Sequence, residues 1–306
     1  MFESLPITVL DECEGRTNLG DNDEIVSFDL DVFGEPVHLQ VGVKDKQARL
    51  ADIVPAARVL SSRIVEATMK RLQDIGISIP CHKGCAACCS YYFVSISVPE
   101  VFRLVQETTM MPLERCGDIV DSCSKVAKRI HRYLEKRIAF KKLTNAETNS
   151  QDLTFEINEE ELEKISDWYS KQRLPCSFLS NGLCTIYEQR PLTCREHLVV
   201  GTTPCQLGKE DAERRMKTPI RPIRMVDALK LLASHLEGTT QDFIPLHSAF
   251  EWYRGNVQRS KRTWSALTIT ERFIGIVREM ISESNRIRAE RVINSHSLAV
   301  GPDDKV

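Results

Sequence analysis

The sequence lacks a glycine-rich phosphate loop, an H-E-x-x-H pair and a credible serine–histidine–aspartate order. These absences remove the usual nucleotide-binding and zinc-protease readings and leave no independent catalytic machine in view. Net charge is also lacking: 41 Lys and Arg against 43 Asp and Glu leave −2. Nothing therefore pulls the chain as a whole toward nucleic acid or an acidic membrane. The uncharged stretch from Gly84 to Pro99 is too short to span a bilayer and ends in proline, so no membrane helix is expected. The opening run Met1-Phe-Glu-Ser-Leu-Pro-Ile-Thr-Val-Leu-Asp11 has no basic region, so a secretory signal is not expected and the cytoplasm is the expected location. No internal repeat is present.

Cysteine, by contrast, is abundant. Four of the 11 cysteines, Cys81, Cys85, Cys88 and Cys89, fall in the run Pro80-Cys-His-Lys-Gly-Cys-Ala-Ala-Cys-Cys-Ser90. An odd total cannot pair completely within one chain, and cytoplasmic thiols stay reduced. Metal is then the leading explanation. On a helix, the C-x3-C-x2-C-C spacing puts these thiols on one face. In a knuckle, Gly84 permits the tight turn that aims backbone amides at sulfur. A second group reads Pro175-Cys-Ser-Phe-Leu-Ser-Asn-Gly-Leu-Cys-Thr-Ile-Tyr-Glu-Gln-Arg-Pro-Leu-Thr-Cys-Arg195, with Cys205 beyond it. Asn181-Gly182 signals a hairpin. A two-residue loop would put Cys176 and Cys184 on opposite faces, and a three-residue loop on the same face. If both bind one metal, the three-residue loop is expected. Pro191 favours the first turn of a helix on which Cys194 and His197 face the same way.

The two groups can share a site despite their separation. Closing the intervening loop costs on the order of 4 kcal/mol, whereas a structural zinc site supplies roughly 10–16 kcal/mol in small peptides. Eight thiols, Cys81, Cys85, Cys88, Cys89, Cys176, Cys184, Cys194 and Cys205, suit two four-thiolate zinc sites or an iron–sulfur centre such as [4Fe–4S]; spacing does not separate zinc from iron. Arg190 and Arg195 are placed to offset thiolate charge. Cys116 and Cys123 are expected in the core; His82 and His197 are possible ligands by proximity, although a histidine beside a ligand more often lies at the surface or packs behind the ligands.

The rest of the chain reads as mainly α with short β-hairpins around a cysteine-rich, metal-centred core. Residues 1–48 form an acidic extension whose alternation over Ile25–Phe33 and Val37–Val43, with a turn at Gly34-Glu-Pro36, predicts a hairpin. Residues 49–210 form the cysteine-cluster domain, and 211–306 a helical extension. Helices are expected from Asp52 to about Gly76, from Ser97 with Pro99 in its first turn, over Leu113–Lys142, from Asn158 through Tyr169, and over Val226–Leu236 and Thr270–Ile293. The third carries a basic face of Lys125, Lys128, Arg129, Arg132, Lys136, Arg137, Lys141 and Lys142. Without interleaved aromatics it reads as solvated, not as a nucleic-acid surface.

The segments Cys-His-Lys-Gly-Cys-Ala-Ala-Cys-Cys and Cys-Ser-Phe-Leu-Ser-Asn-Gly-Leu-Cys-Thr-Ile-Tyr-Glu-Gln-Arg-Pro-Leu-Thr-Cys-Arg resemble the YkgJ-type CxxCxxCC cysteine-cluster family, over roughly residues 78–206. The family is described as zinc- or iron-chelating, and its members are often labelled Fe–S oxidoreductases. The resemblance implies that Cys81, Cys85, Cys88, Cys89, Cys176, Cys184 and Cys194 are its characteristic cysteines. Tyr187, Arg190, Pro191 and Arg195 also fit its pattern. The chain departs from it where three residues, not two, separate Cys81 from Cys85. Flagellin lysine N-methylases, a more distant class, carry a similar cluster.

Three readings follow. The first is a protein that binds zinc or iron through two cysteine groups. The second is an iron–sulfur oxidoreductase or protein-modifying enzyme in which Tyr187, Arg190 and Arg195 bind or orient the substrate. The third is a zinc-stapled scaffold whose basic helix recruits a protein partner.

Overall fold

A computed structural model describes residues 5–10, 19–137, 159–199 and 223–299, and the side chains of all of these except 136, 137, 159 and 287–299. The chain begins with strands β1 (Ile7–Leu10), β2 (Glu24–Val32) and β3 (Glu35–Val43), hydrogen-bonded in the order β1-β3-β2, all antiparallel. Alternation in β2 buries Phe28, Leu30 and Val32 and leaves Asp29 and Asp31 outside. The hairpin turn lies earlier than the Gly34-Glu-Pro36 signal suggests. Val32 pairs with Glu35, and the two loop residues, Phe33 and Gly34, have φ of 59° and 88°, the primed-turn geometry that suits strand twist. Pro36 is tolerated inside β3 because β1 covers only Gln40–Val43.

Mostly helices follow. After β4 (Gln47–Ala48) and a single 3-10 turn come α1 (Val54–Asp74), β5 (Ser95–Ile96), α2 (Val98–Thr109) and α3 (Leu113–Arg137). Then come α4 (Glu159–Gln172), strands β6 (Leu179–Ser180) and β7 (Leu183–Cys184), and the one-turn α5 (Leu192–Arg195). The chain closes with α6 (Met225–Glu237), β8 (Ile244–Pro245), α7 (Ala249–Gly255), β9 (Trp264–Ser265) and α8 (Ala266–Ala299). The mainly helical reading therefore holds. α2 starts where its sequence says it should: the Glu100 carboxylate returns to the Ser97 N–H and hydroxyl at 2.9 and 2.8 Å, a capping box.

Short ladders tie distant segments together. β4 pairs with β9, and β5 pairs with β8. One continuous cluster of buried residues extends from Ile7 in β1 through Leu60 and Ile64 of α1 and Leu229 of α6 to Phe273 and Ile281 of α8. A smaller cluster joins α3 to α4 through Ile130, Leu134, Ile165 and Tyr169, with Tyr133 stacked on Trp168 at 4.1 Å. Cys123 is buried in the main core as expected, whereas Cys116 is only half-buried. On the outer face of α3, Lys125, Lys128, Arg129 and Arg132 are exposed. Among the described residues no helix is long and apolar enough to cross a membrane.

Candidate metal centre

The first cysteine group forms a knuckle. Cys85 N–H donates to the His82 carbonyl, Gly84 takes φ +87°, and Ala87–Ser90 make a single 3-10 turn. Nothing lies within 4 Å of where a Cβ would stand on Gly84, so glycine is required there by backbone conformation alone. The exit strand β5 leads directly into α2.

The second group is joined to the first by backbone. Cys176 N–H donates to the Cys89 carbonyl at 2.8 Å. The hairpin loop is the two-residue one, Asn181 and Gly182, with φ 51° and 76°; Ser180 pairs with Leu183 and Leu179 with Cys184. The three-residue loop expected for a shared site is therefore not formed. Cys176 and Cys184 nevertheless line the same cavity. Their parity does not matter, because the ladder stops at Leu179. Leu179 N–H turns back to the Cys176 carbonyl, so Cys176 lies off the strand.

α5 carries Cys194 and is held from four sides. Leu192 N–H donates to Glu100 at 2.7 Å, and the Thr193 hydroxyl donates to the Ser95 carbonyl at 2.6 Å. Glu196 accepts from the Ser61 hydroxyl of α1 and from Met225 N–H of α6. Arg195 donates to Ser62 of α1 and to the Glu188 carbonyl. Pro191 sits at the N-cap, one position before the expected first turn.

The result is an inner cavity of about 70 Å³. One water needs roughly 10–15 Å³ on this measure, so the space admits a small occupant. Cys85, Cys88, Cys89, Cys176, Cys184 and Cys194 line it, with Tyr92, Tyr169, Tyr187, Arg190, His197 and His247. An adjoining outer cavity of about 250 Å³ shares Cys85, Cys88, Tyr187, Arg190, Cys194 and His197 and adds Cys81, His82, Lys83 and Arg195, with Ser62, Glu66 and Met69 of α1. Seven of the eight cysteines singled out from sequence thus line one or both of two adjoining cavities. The eighth, Cys205, lies outside the described residues. Nine described cysteines are free thiols.

Backbone amides point at three of these sulfurs. Cys176 accepts from Phe178, Cys184 from Ile186, and Cys81 from Val199, each lowering the cost of a thiolate. Burial works the other way and dominates: it pushes Cys176 up to about 12 and raises Cys81, Cys184 and Cys194. Cys89 is the exception. The Cys88 thiol donates to it and Arg190 lies beside it, and together they bring it to about 7 against its burial, while Cys88 is driven upward. Arg190 also stacks over Tyr187 at 4.2 Å, and Tyr92 stacks on His197 at 3.7 Å. His247 is drawn down to about 4 by burial and is neutral at ordinary pH.

The donors match a thiophilic metal: soft sulfurs, amides aimed at sulfur, an arginine beside them and neutral imidazole. Among the described residues, however, no three histidine, cysteine, aspartate or glutamate side chains form a ready ligand group. The six cysteines line the cavity without forming such a group. Tyr92, Tyr169 and His247 line the site without any sequence signal that pointed to them; each reaches it through tertiary packing. No family model, curated protein or solved structure matches the chain.

Proposed function

We propose that this chain binds zinc or iron, the latter either as an ion or as an iron–sulfur cluster such as [4Fe–4S], through its two cysteine groups. The observation that carries this reading is that seven cysteines from three separate segments line two adjoining cavities. Packing alone has little use for so many half-buried thiols, whereas metal ligation needs them. The resemblance of both cysteine motifs to the YkgJ-type family supports the same reading. Free thiols throughout the described chain accord with a reducing, cytoplasmic setting.

The test is anaerobic purification followed by an absorption spectrum and metal analysis. Stoichiometric zinc in a colourless protein, or iron with acid-labile sulfide in a brown one, is expected. Cys85→Ser should lose the metal; a wild-type chain that carries neither metal and takes up neither defeats the reading.

An enzymatic role has one observation in its favour. The outer cavity opens beside the thiols and presents Arg190, Arg195 and Lys83. On this reading those cations would hold an anionic substrate next to the metal, with Tyr187 against it. A substrate-free chain with no anion affinity at this cavity would leave metal binding standing and remove the enzyme.

A further inference from the structure

Among the side chains that line the inner cavity from outside both cysteine motifs is His247. His247 lies in the single 3-10 turn Leu246–Ser248, directly after β8 and far downstream of Cys194. Its place is set by a short ladder. β8 pairs with β5, Ile96 opposite Ile244 and Ser95 opposite Pro245, and Leu246 N–H donates to the Val94 carbonyl at 2.9 Å. β5 is the strand that leaves the Cys81–Cys89 knuckle, so this pairing brings His247 back to the thiols.

His247 is 6% exposed, and its ring stacks beside Tyr169 with centroids 6.2 Å apart. Its buried Nε2 has no hydrogen-bond partner. A buried ring nitrogen without a partner loses its water hydrogen bonds and recovers nothing, so such atoms are rare and call for an explanation such as an ion. The residue lines a space shared with six cysteines.

We infer that His247 is a nitrogen ligand of the metal held in the inner cavity, which makes the centre a mixed sulfur–nitrogen site. The inference rests on the metal-binding reading above. Imidazole and thiolate together suit zinc and iron, and three-cysteine, one-histidine sets are an established zinc arrangement. His247 reaches the centre through Nε2, the atom the fold leaves unpaired, while the β5–β8 ladder fixes its backbone.

The experiment uses the full chain loaded with zinc and X-ray absorption at the zinc edge; a chain that carries iron is measured at the iron edge. Wild type should show imidazole outer-shell scattering beside metal–sulfur bonds, those of zinc at about 2.3 Å. His247→Gln should lose the imidazole pattern and bind the metal at least about tenfold more weakly. His197→Gln, which removes the other histidine at this cavity, should keep the pattern. Sulfur-only scattering in wild type overturns the His247 assignment without needing any variant to fold, and leaves metal binding intact. Loss of the pattern in His197→Gln, with retention in His247→Gln, overturns it as well. A wild-type chain that takes up no metal defeats the metal reading and this inference together.

Discussion

The backbone N–H of Cys176 donates to the carbonyl of Cys89 at 2.8 Å, joining the two cysteine groups without using either thiol. The backbone thus ties the two groups together, and the proposed metal would add to this tie from the side-chain face. Anything that binds the folded chain and not the unfolded one stabilises it by mass action, about 4 kcal/mol at a thousand times its Kd. Stripping metal anaerobically should lower Tm by several degrees, and adding it back should restore the loss. Calorimetry on Cys176→Ser supplies the comparison: that variant should melt at one temperature with or without metal. A wild-type Tm indifferent to metal removal would refute the stabilising role.

Cys88 and Cys89 should titrate far apart in metal-free protein. The Cys88 S–H supports the Cys89 thiolate, and Arg190 adds to the effect, so Cys89 ionises around pH 7 while Cys88 keeps its proton. Only the thiolate is alkylated, so the rate at Cys89 rises with pH and reaches half its plateau near pH 7, below the ordinary thiol value of about 8.5. Cys88→Ala removes the donor and should move that midpoint upward; Arg190→Met should move it upward by less. Iodoacetamide labelling read by peptide mass spectrometry measures all three. A midpoint near 8.5 in wild type would show that Cys88 does not support the Cys89 thiolate.

Arg259 holds two buried acids. It donates to Glu237 at 2.6 and 3.2 Å and to Asp242 at 2.9 Å, and those carboxylates have side chains 0% and 7% exposed. Removing the cation leaves Glu237 with the longer Arg262 contact at 3.5 Å and takes a close partner from buried Asp242; breaking a buried pair in this way costs about 3–5 kcal/mol. Arg259→Met should therefore unfold at much lower denaturant. Arg259→Lys should rescue only part of the loss, since an ammonium cannot reproduce the guanidinium fork. Urea titration decides; equal stability of Arg259→Met and wild type would show that the cluster is already neutral.

Local signals in the sequence were read correctly where the deciding contacts are local. Ser97 and Pro99 announce α2, and the structure starts the helix there, with Glu100 closing a capping box three residues on. Val126, Ile130 and Leu134 recur at a spacing of four and form the buried face of α3. The errors come from non-local pairing. β1 is four residues long and is recognisable only once β3 lies beside it. Parity across the Asn181-Gly182 hairpin misled because it assumed a strand extending to Cys176, whereas the ladder ends at Leu179. His247 carried no signal at all: its connection to the thiols depends on two-residue strands, β5 and β8, that no periodicity reveals. The cysteines themselves were legible because their spacing makes sense only if they meet.

Glu100 links α2 to the cysteine-bearing α5, and this link can be separated from its capping role. One carboxylate oxygen serves Ser97; the other accepts from Leu192 N–H at 2.7 Å, two residues before Cys194. The side chain is 2% exposed, so a lost partner there is not replaced by water. Ser97→Ala removes only the cap hydroxyl and should cost about 1 kcal/mol with metal retention unchanged. Glu100→Ala removes the cap and leaves the Leu192 N–H unpaired, which should cost about 2–3 kcal/mol. It should also free α5, so that metal is released to a chelator faster than from Ser97→Ala. Glu100→Gln keeps one acceptor oxygen and should fall between them on both measures. Tm and the rate of chelator-driven metal loss, measured on all three, give the answer. Equal release rates from Ser97→Ala and Glu100→Ala would mean that Glu100 stabilises the fold without positioning Cys194.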